Sequence, residues 1–156
     1  MSISVSARVV QVAPSHIHAV WPHIEYYIER SVSHSCGDVG LEEVKHRLLS
    51  GEWVLYVVIH DNSNMVVGAV VVTYYNRIND RVAYVAAIGG EFITNKGYFS
   101  QLCDVLKSSG ATCIEGAVRE SMSRLLSKLR FKRKSINIKF DLRRSEEHTS
   151  ELQSPM

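Results

Sequence analysis

The sequence predicts a single α/β domain built on a mixed, mostly antiparallel twisted sheet with helices on both faces. Segments that alternate apolar and polar residues interleave with segments whose apolar residues recur every three or four positions, in the order β-α-α-β-β-β-α-β-α-β. The third strand segment, VVGAVVVTYYN, is apolar on both of its faces, as a central strand covered above and below must be. A chain of 156 residues with 46% hydrophobic and 22% charged content has the size and composition of one ordinary domain with a real core.

Each element follows from its local pattern. Val5, Ala7 and Val9 alternate, so residues 4–12 read as a first strand, punctuated by Pro14 and Ser15. Ile17, Val20, Trp21, Ile24 and Ile28 form one helical face; a start near His18 would put Pro22 in or near the first turn, where proline is tolerated. Leu41, Val44, Leu48 and Leu49 make a second helix, with Glu42 and Glu43 at its positive end and Gly51 suited to its C-terminal cap. Residues 53–60 are a strongly apolar strand, and the polar turn DNSN at 61–64 leads into strands at 65–75 and 81–88, joined around 76–80. Phe99, Leu102, Cys103 and Leu106 share the face of a third helix, between an N-cap at Thr94 or Asn95 and a stop at Gly110. Residues 111–118 supply a strand, Met122, Leu125, Leu126 and Leu129 a helix face, and Ile136, Ile138, Phe140 and Leu142 a last alternating strand.

Composition excludes some classes. A net charge of +2 is too small to demand a nucleic-acid or membrane partner. No apolar run approaches the about 20 residues a membrane span needs, and the N-terminus lacks a basic region followed by an apolar one, so a cytoplasmic location is expected. Cys36, Cys103 and Cys113 are odd in number and widely spaced, which fits reduced thiols. His16, His18, His23, His34 and Cys36 lack the paired short spacings of a zinc site, so no metal is expected. The segment RSEEHTSELQSPM, residues 144–156, has no apolar periodicity and resembles translated sequencing-adapter read-through from metagenomic reading frames; it reads as a non-native or disordered tail beyond a domain of residues 1–143.

The stretch CIEGAVRESMSRLLSKLRF, residues 113–131, runs from a strand into an amphipathic helix and resembles the closing unit of the GNAT (GCN5-related N-acetyltransferase) superfamily. The element order is also the GNAT succession, lacking only a clear seventh strand. Leu126 falls where the family pattern carries a Tyr, and Arg130 where it carries a Gly. The start HAVWPHIEYYIERS and the double glycine ending AAIGG are similar to small GNAT-like phage proteins, among them a type related to an internal virion protein. The resemblance implies that the fourth and fifth strands are parallel and diverge at one end. It also implies acetyl-CoA as cosubstrate, bound in that gap by backbone groups of Ala86, Ala87 and Ile88.

The family's phosphate loop has the pattern Arg or Gln, two residues, Gly, one residue, Gly or Ala. This chain reads GGEFITNKGYFSQL there: Gly89 and Gly90 come early, only Gly97 lies near the helix start, and Tyr98 and Phe99 add bulk. A phosphate would sit against the amides of Asn95, Lys96 and Gly97 with Lys96 as counter-charge; the plainer reading is that the Gly pair turns the chain and Asn95 caps the helix. Amine acylation needs a base and a donor to the departing thiolate. With Leu126 unable to donate, Tyr84, or Tyr74 and Tyr75 on the strand before, are the candidate phenols, and Glu115 and Glu120 the candidate carboxylates. Surface or helix-end charge explains both carboxylates as well.

Three function classes follow: an acyl-CoA-dependent N-acyltransferase; a non-catalytic GNAT-like phage protein whose partner is a virion structural protein or a second copy; and, least favoured, a nucleic-acid contact through the basic run Lys128, Arg130, Lys132, Arg133 and Lys134.

Overall fold

The computed structural model describes residues 6–34, 40–116, 127, 131–132 and 142–144. The helix and strand expected at 122–129 and 136–142, together with Glu120, Leu126 and residues 145–156, lie almost wholly outside that set.

Strand β1 (Ala7–Val12) leads through a 3-10 turn at Pro14–His16 into α1 (Ile17–His34), followed by α2 (Leu41–Leu49), β2 (Val54–His60), β3 (Val66–Asn76) and β4 (Arg81–Gly90). A four-residue helix, α3 (Glu91–Thr94), then precedes α4 (Lys96–Ser108) and β5 (Cys113–Gly116). The described strands form one open sheet in the order β1-β2-β3-β4-β5, antiparallel from β1 to β4 and parallel between β4 and β5. The short turns after β2 and β3 enforce the antiparallel neighbours, and the helical crossover through α4 returns the chain parallel.

Two cores sandwich the sheet. On one face Ile17, Trp21, Ile24 and Ile28 of α1 and Val44 and Leu48 of α2 pack on Leu55, Val57, Ala69, Val71 and Ala87. On the other, Phe99, Leu102 and Leu106 of α4 and Phe92 of α3 pack on Tyr56, Val58, Val70, Val72 and Ala83. Ala69, Val70, Val71 and Val72 are all fully buried, which is the two-sided burial that the uninterrupted apolar run requires.

Two expectations about boundaries change. Pro14, not Pro22, opens the helical segment, so Pro22 lies inside α1, where its missing N–H leaves the helical hydrogen bond to the His18 carbonyl unmade. The Gly89–Gly90 pair does more than turn the chain: it completes β4, opposite Ala69 and Gly68, and Gly90 is also the N-cap where the chain turns into α3. Gly90 has φ +74°, and a Cβ there would stand 2.4 Å from the Val67 carbonyl oxygen, so only glycine fits. A Cβ at Gly89 would meet the Tyr27 carbonyl oxygen at 3.0 Å and its Cβ at 3.1 Å: α1 is seated directly on bare strand backbone. The expected caps are present, with Gly51 (φ +82°) following α2 and Gly110 (φ +96°) following α4.

Candidate functional site

The site is built at the end of the described β4–β5 pairing. Parallel pairing runs Val82↔Cys113, Ala83↔Ile114, Tyr84↔Glu115 and Val85↔Gly116; among the described residues it ends there, while β4 continues along β3 to Gly90. At the same place β4 bulges. Val72 faces Val85 and Val71 faces Ala87, so Ala86 is an extra residue with no partner on β3. The bulge reverses the alternation: Ala83, Val85 and Ile88 lie on the α4 face, and Ala86 and Ala87 both on the α1 face. A bulge turns backbone donors out of the ladder, and the Ile88 N–H, instead of bonding β3, donates to Ser31 Oγ of α1 at 3.0 Å.

Tyr84 and Glu115 are brought side by side by the β4–β5 register. Each alternates with residues on the α4 face, so both project to the face that α1 covers. Tyr75 joins them: its hydroxyl donates to Glu115 Oε1 at 3.2 Å, and its ring lies 6.4 Å from that of Tyr84. Arg77 ion-pairs with Glu115 Oε2, donates from Nη2 to the Tyr75 hydroxyl at 2.8 Å, and stacks over the Tyr75 ring at 5.2 Å. Hydrogen bonding to Glu115 holds the Arg77 guanidinium above its ordinary pKa, so Arg77 stays charged. A half-buried carboxylate is thereby fixed between a phenol and a guanidinium, with a second phenol beside it.

The structure separates the two adjacent tyrosines of β3. Tyr74 projects to the α4 face, where its hydroxyl meets that of Tyr56 at 2.7 Å. Burial, helped by that bond, pushes the Tyr56 phenol above its usual value, so the pair is a structural polar bridge inside the core. Tyr75 was only one of three candidate phenols in the sequence and Arg77 was not selected at all, although a spacing of two at the end of a strand is a signal for a shared face.

At the start of α4, Asn95 Oδ1 accepts from the amides of Gly97 at 2.9 Å and Tyr98 at 3.2 Å. Those amides point out of the N-terminus of a 13-residue helix, a direction that favours an anion, but an anion would have to replace Asn95 Oδ1. Lys96 is exposed at this end. The bulk of Tyr98 and Phe99 does not crowd the loop, because both side chains turn inward and Phe99 packs edge-on against Phe131 at 5.4 Å between ring centroids. The unexpected α3 sits between β4 and this cap; Glu91 at its start meets His60 Nε2 at 3.1 Å and Phe92 is fully buried. Four residues are too few for helical periodicity to announce.

Beside β5 a cavity of about 480 Å³ is lined by Phe99, Cys103, Leu106, Cys113, Ile114 and Phe131, among others. Burial pushes the Cys103 thiol up, away from a reactive thiolate. Among the described residues no cluster of His, Cys, Asp and Glu is arranged to hold a metal, and no helix is long and apolar enough to cross a membrane.

An open mixed sheet of this strand order, covered on both faces, with β4 bulged just beyond its described pairing with a parallel β5, is the GNAT-like fold. Solved acetyltransferases have the same architecture. An aminoglycoside N-acetyltransferase in complex with CoA matches 92% of this chain and 99% of its own, at TM-score 0.62 and 12% identity. A ribosomal-protein-alanine N-acetyltransferase from Brucella melitensis matches 87% and 100%, at TM-score 0.60 and 13% identity. The glucosamine-6-phosphate N-acetyltransferase of Arabidopsis thaliana matches 88% and 99%, at TM-score 0.58 and 14% identity. No protein-family model and no curated protein sequence matches the chain.

Proposed function

We propose that the chain is a GNAT-like N-acyltransferase that uses acetyl-CoA and an amine acceptor. The observation that carries this is the bulge at Ala86, with the parallel Tyr84–Glu115 pair immediately beside it and the Ile88 N–H bonded to Ser31 rather than to a strand beyond it. Acyl-CoA fits there as an extended chain alongside β4, because the Ile88 N–H already faces away from β3 and is satisfied by a displaceable side-chain oxygen. Its phosphates have the Gly97 and Tyr98 amides and Lys96 available at α4, once Asn95 yields. The CoA bound in the aminoglycoside N-acetyltransferase supports the same assignment.

When bound, acyl-CoA supplies an activated thioester carbonyl. Glu115, fixed by Tyr75 and Arg77, accepts the proton that an ammonium loses before it can attack, and Tyr84 donates to the sulfur as the C–S bond breaks, in place of the Tyr that Leu126 lacks. Glu120, which lies outside the described residues, remains the other carboxylate the sequence offers for this role. Calorimetric titration with acetyl-CoA tests the reading: one-to-one binding, weakened by Lys96→Ala and by Gly97→Val, supports it, and no binding by a folded sample at millimolar ligand overturns it.

One observation favours a second reading. Both sets of donors a CoA ligand needs, at Ile88 and at the start of α4, are already bonded within the chain by Ser31 and Asn95. That is the arrangement of a non-catalytic protein that uses the fold as an interaction surface, with a phage structural protein or a second copy as partner. Co-purification with such a protein, together with no acetyl-CoA affinity, would establish it.

A further inference from the structure

The β4 backbone and α1 are locked together at one point. Gly89 lets the Tyr27 backbone approach within van der Waals contact, and Ser31, one turn further along α1, projects from the same side of the helix onto Ile88. An amide N–H has one hydrogen and one good acceptor direction, and at Ile88 that direction is filled by Ser31 Oγ at 3.0 Å. Ile88 lies beyond the last β4–β5 pair, where the strand's outer edge has no strand neighbour among the described residues. A carbonyl oxygen arriving in the gap to bond the Ile88 N–H must therefore displace the serine hydroxyl.

We infer that Ser31 is a gate and positioning residue for the acyl-CoA gap: it holds the Ile88 amide in the ligand-free chain and yields it to a carbonyl of the incoming thioester. This rests on the acyltransferase reading above. The exchange replaces one hydrogen bond by another, so the serine lowers affinity by the strength of the bond that is given up. Once displaced, the Ser31 hydroxyl still stands beside the gap on the α1 side, the side that Tyr84 and Glu115 face, where it can donate to or accept from the acceptor amine. The free chain is thereby spared an unpaired amide at a site that has to stay open.

The experiment compares the full chain with Ser31→Ala and Ser31→Thr by acetyl-CoA titration, alongside amide exchange at Ile88 followed by NMR. Alanine leaves the Ile88 N–H unpaired only in the free protein, so the expected result is acetyl-CoA binding about fivefold tighter than wild type. Threonine, which keeps the hydroxyl, is expected to bind as wild type does. Exchange at Ile88 should quicken in the ligand-free alanine variant and slow again on adding acetyl-CoA. A merely structural serine predicts the opposite sign, since its loss would loosen α1 and weaken binding. Equal or weaker binding by Ser31→Ala, with wild type binding normally, overturns the gate and leaves the acyltransferase reading standing. Binding by the alanine variant where wild type shows none supports the gate in its strongest form. Failure of wild type and alanine variant alike, both folded, overturns the acyltransferase reading and the gate with it.

Discussion

At Glu115 three side chains converge, and none is its neighbour in sequence. Tyr84 comes by strand register, Tyr75 and Arg77 from the far end of the adjoining hairpin. Sequence reasoning reached Glu115 and Tyr84 separately, as types that acylation needs, but had no means of pairing them, because register between β4 and β5 is set by the α4 crossover and not by any local motif. It also left Tyr74 and Tyr75 equivalent, whereas the pleat sends Tyr74 to the Tyr56 bridge and Tyr75 to the carboxylate. Ser31 was legible in principle: it continues the spacing of Ile24 and Ile28, so it is a hydroxyl on the buried stripe of α1. If Glu115 takes the amine's proton, Glu115→Gln removes the base and keeps the shape. The expected outcome is kcat lower by about 10²- to 10⁴-fold with the KM for acetyl-CoA little changed. An equal loss in Arg77→Met would instead assign the effect to carboxylate placement, and steady-state kinetics on the two variants separates these cases.

Elements were legible where a pattern extends over several turns or pleats and illegible where one residue changes it. α2, β2, β3 and α4 fall within a residue or two of their expected bounds, because each repeats its apolar period. The bulges at Val67 and Ala86 could not be read, since a single extra residue shifts the alternation and looks like noise in an apolar strand. The Gly89–Gly90 pair was read only as a turn and its place in β4 was missed, because glycine marks close approach of backbones as well as chain reversal. Gly90→Ala is accordingly expected to destabilise the fold by about 1–3 kcal/mol or more, from positive φ combined with contact against Val67. Chemical denaturation would reveal it as a lower midpoint with unchanged slope.

For the whole molecule, the sheet's covered faces leave its edges as the places where another chain can attach. Among the described residues β1 is the edge strand on one side, and an edge strand exposes a row of backbone groups that invites pairing. Here the chain covers part of its own edge: Gln101 of α4 accepts from the Val9 N–H through Oε1 and donates to the Ala7 carbonyl through Nε2, both at 3.3 Å. One side-chain amide thus stands in for a residue of a neighbouring strand and ties α4 to β1. Leu102 and Leu106, which anchor α4 in the core, do not depend on that contact, so Gln101→Ala is expected to leave the fold intact. It uncovers the Val9 and Ala7 backbone groups, and the edge then becomes available to the same edge of a second copy, antiparallel across a twofold axis. Sedimentation velocity over a concentration series is expected to find Gln101→Ala more self-associated than wild type at the same concentration. A substitution to Glu, which keeps an acceptor for Val9 and adds charge at the edge, is expected to restore wild-type behaviour. Identical sedimentation of wild type and the alanine variant would mean that the glutamine bridge serves only to seat α4.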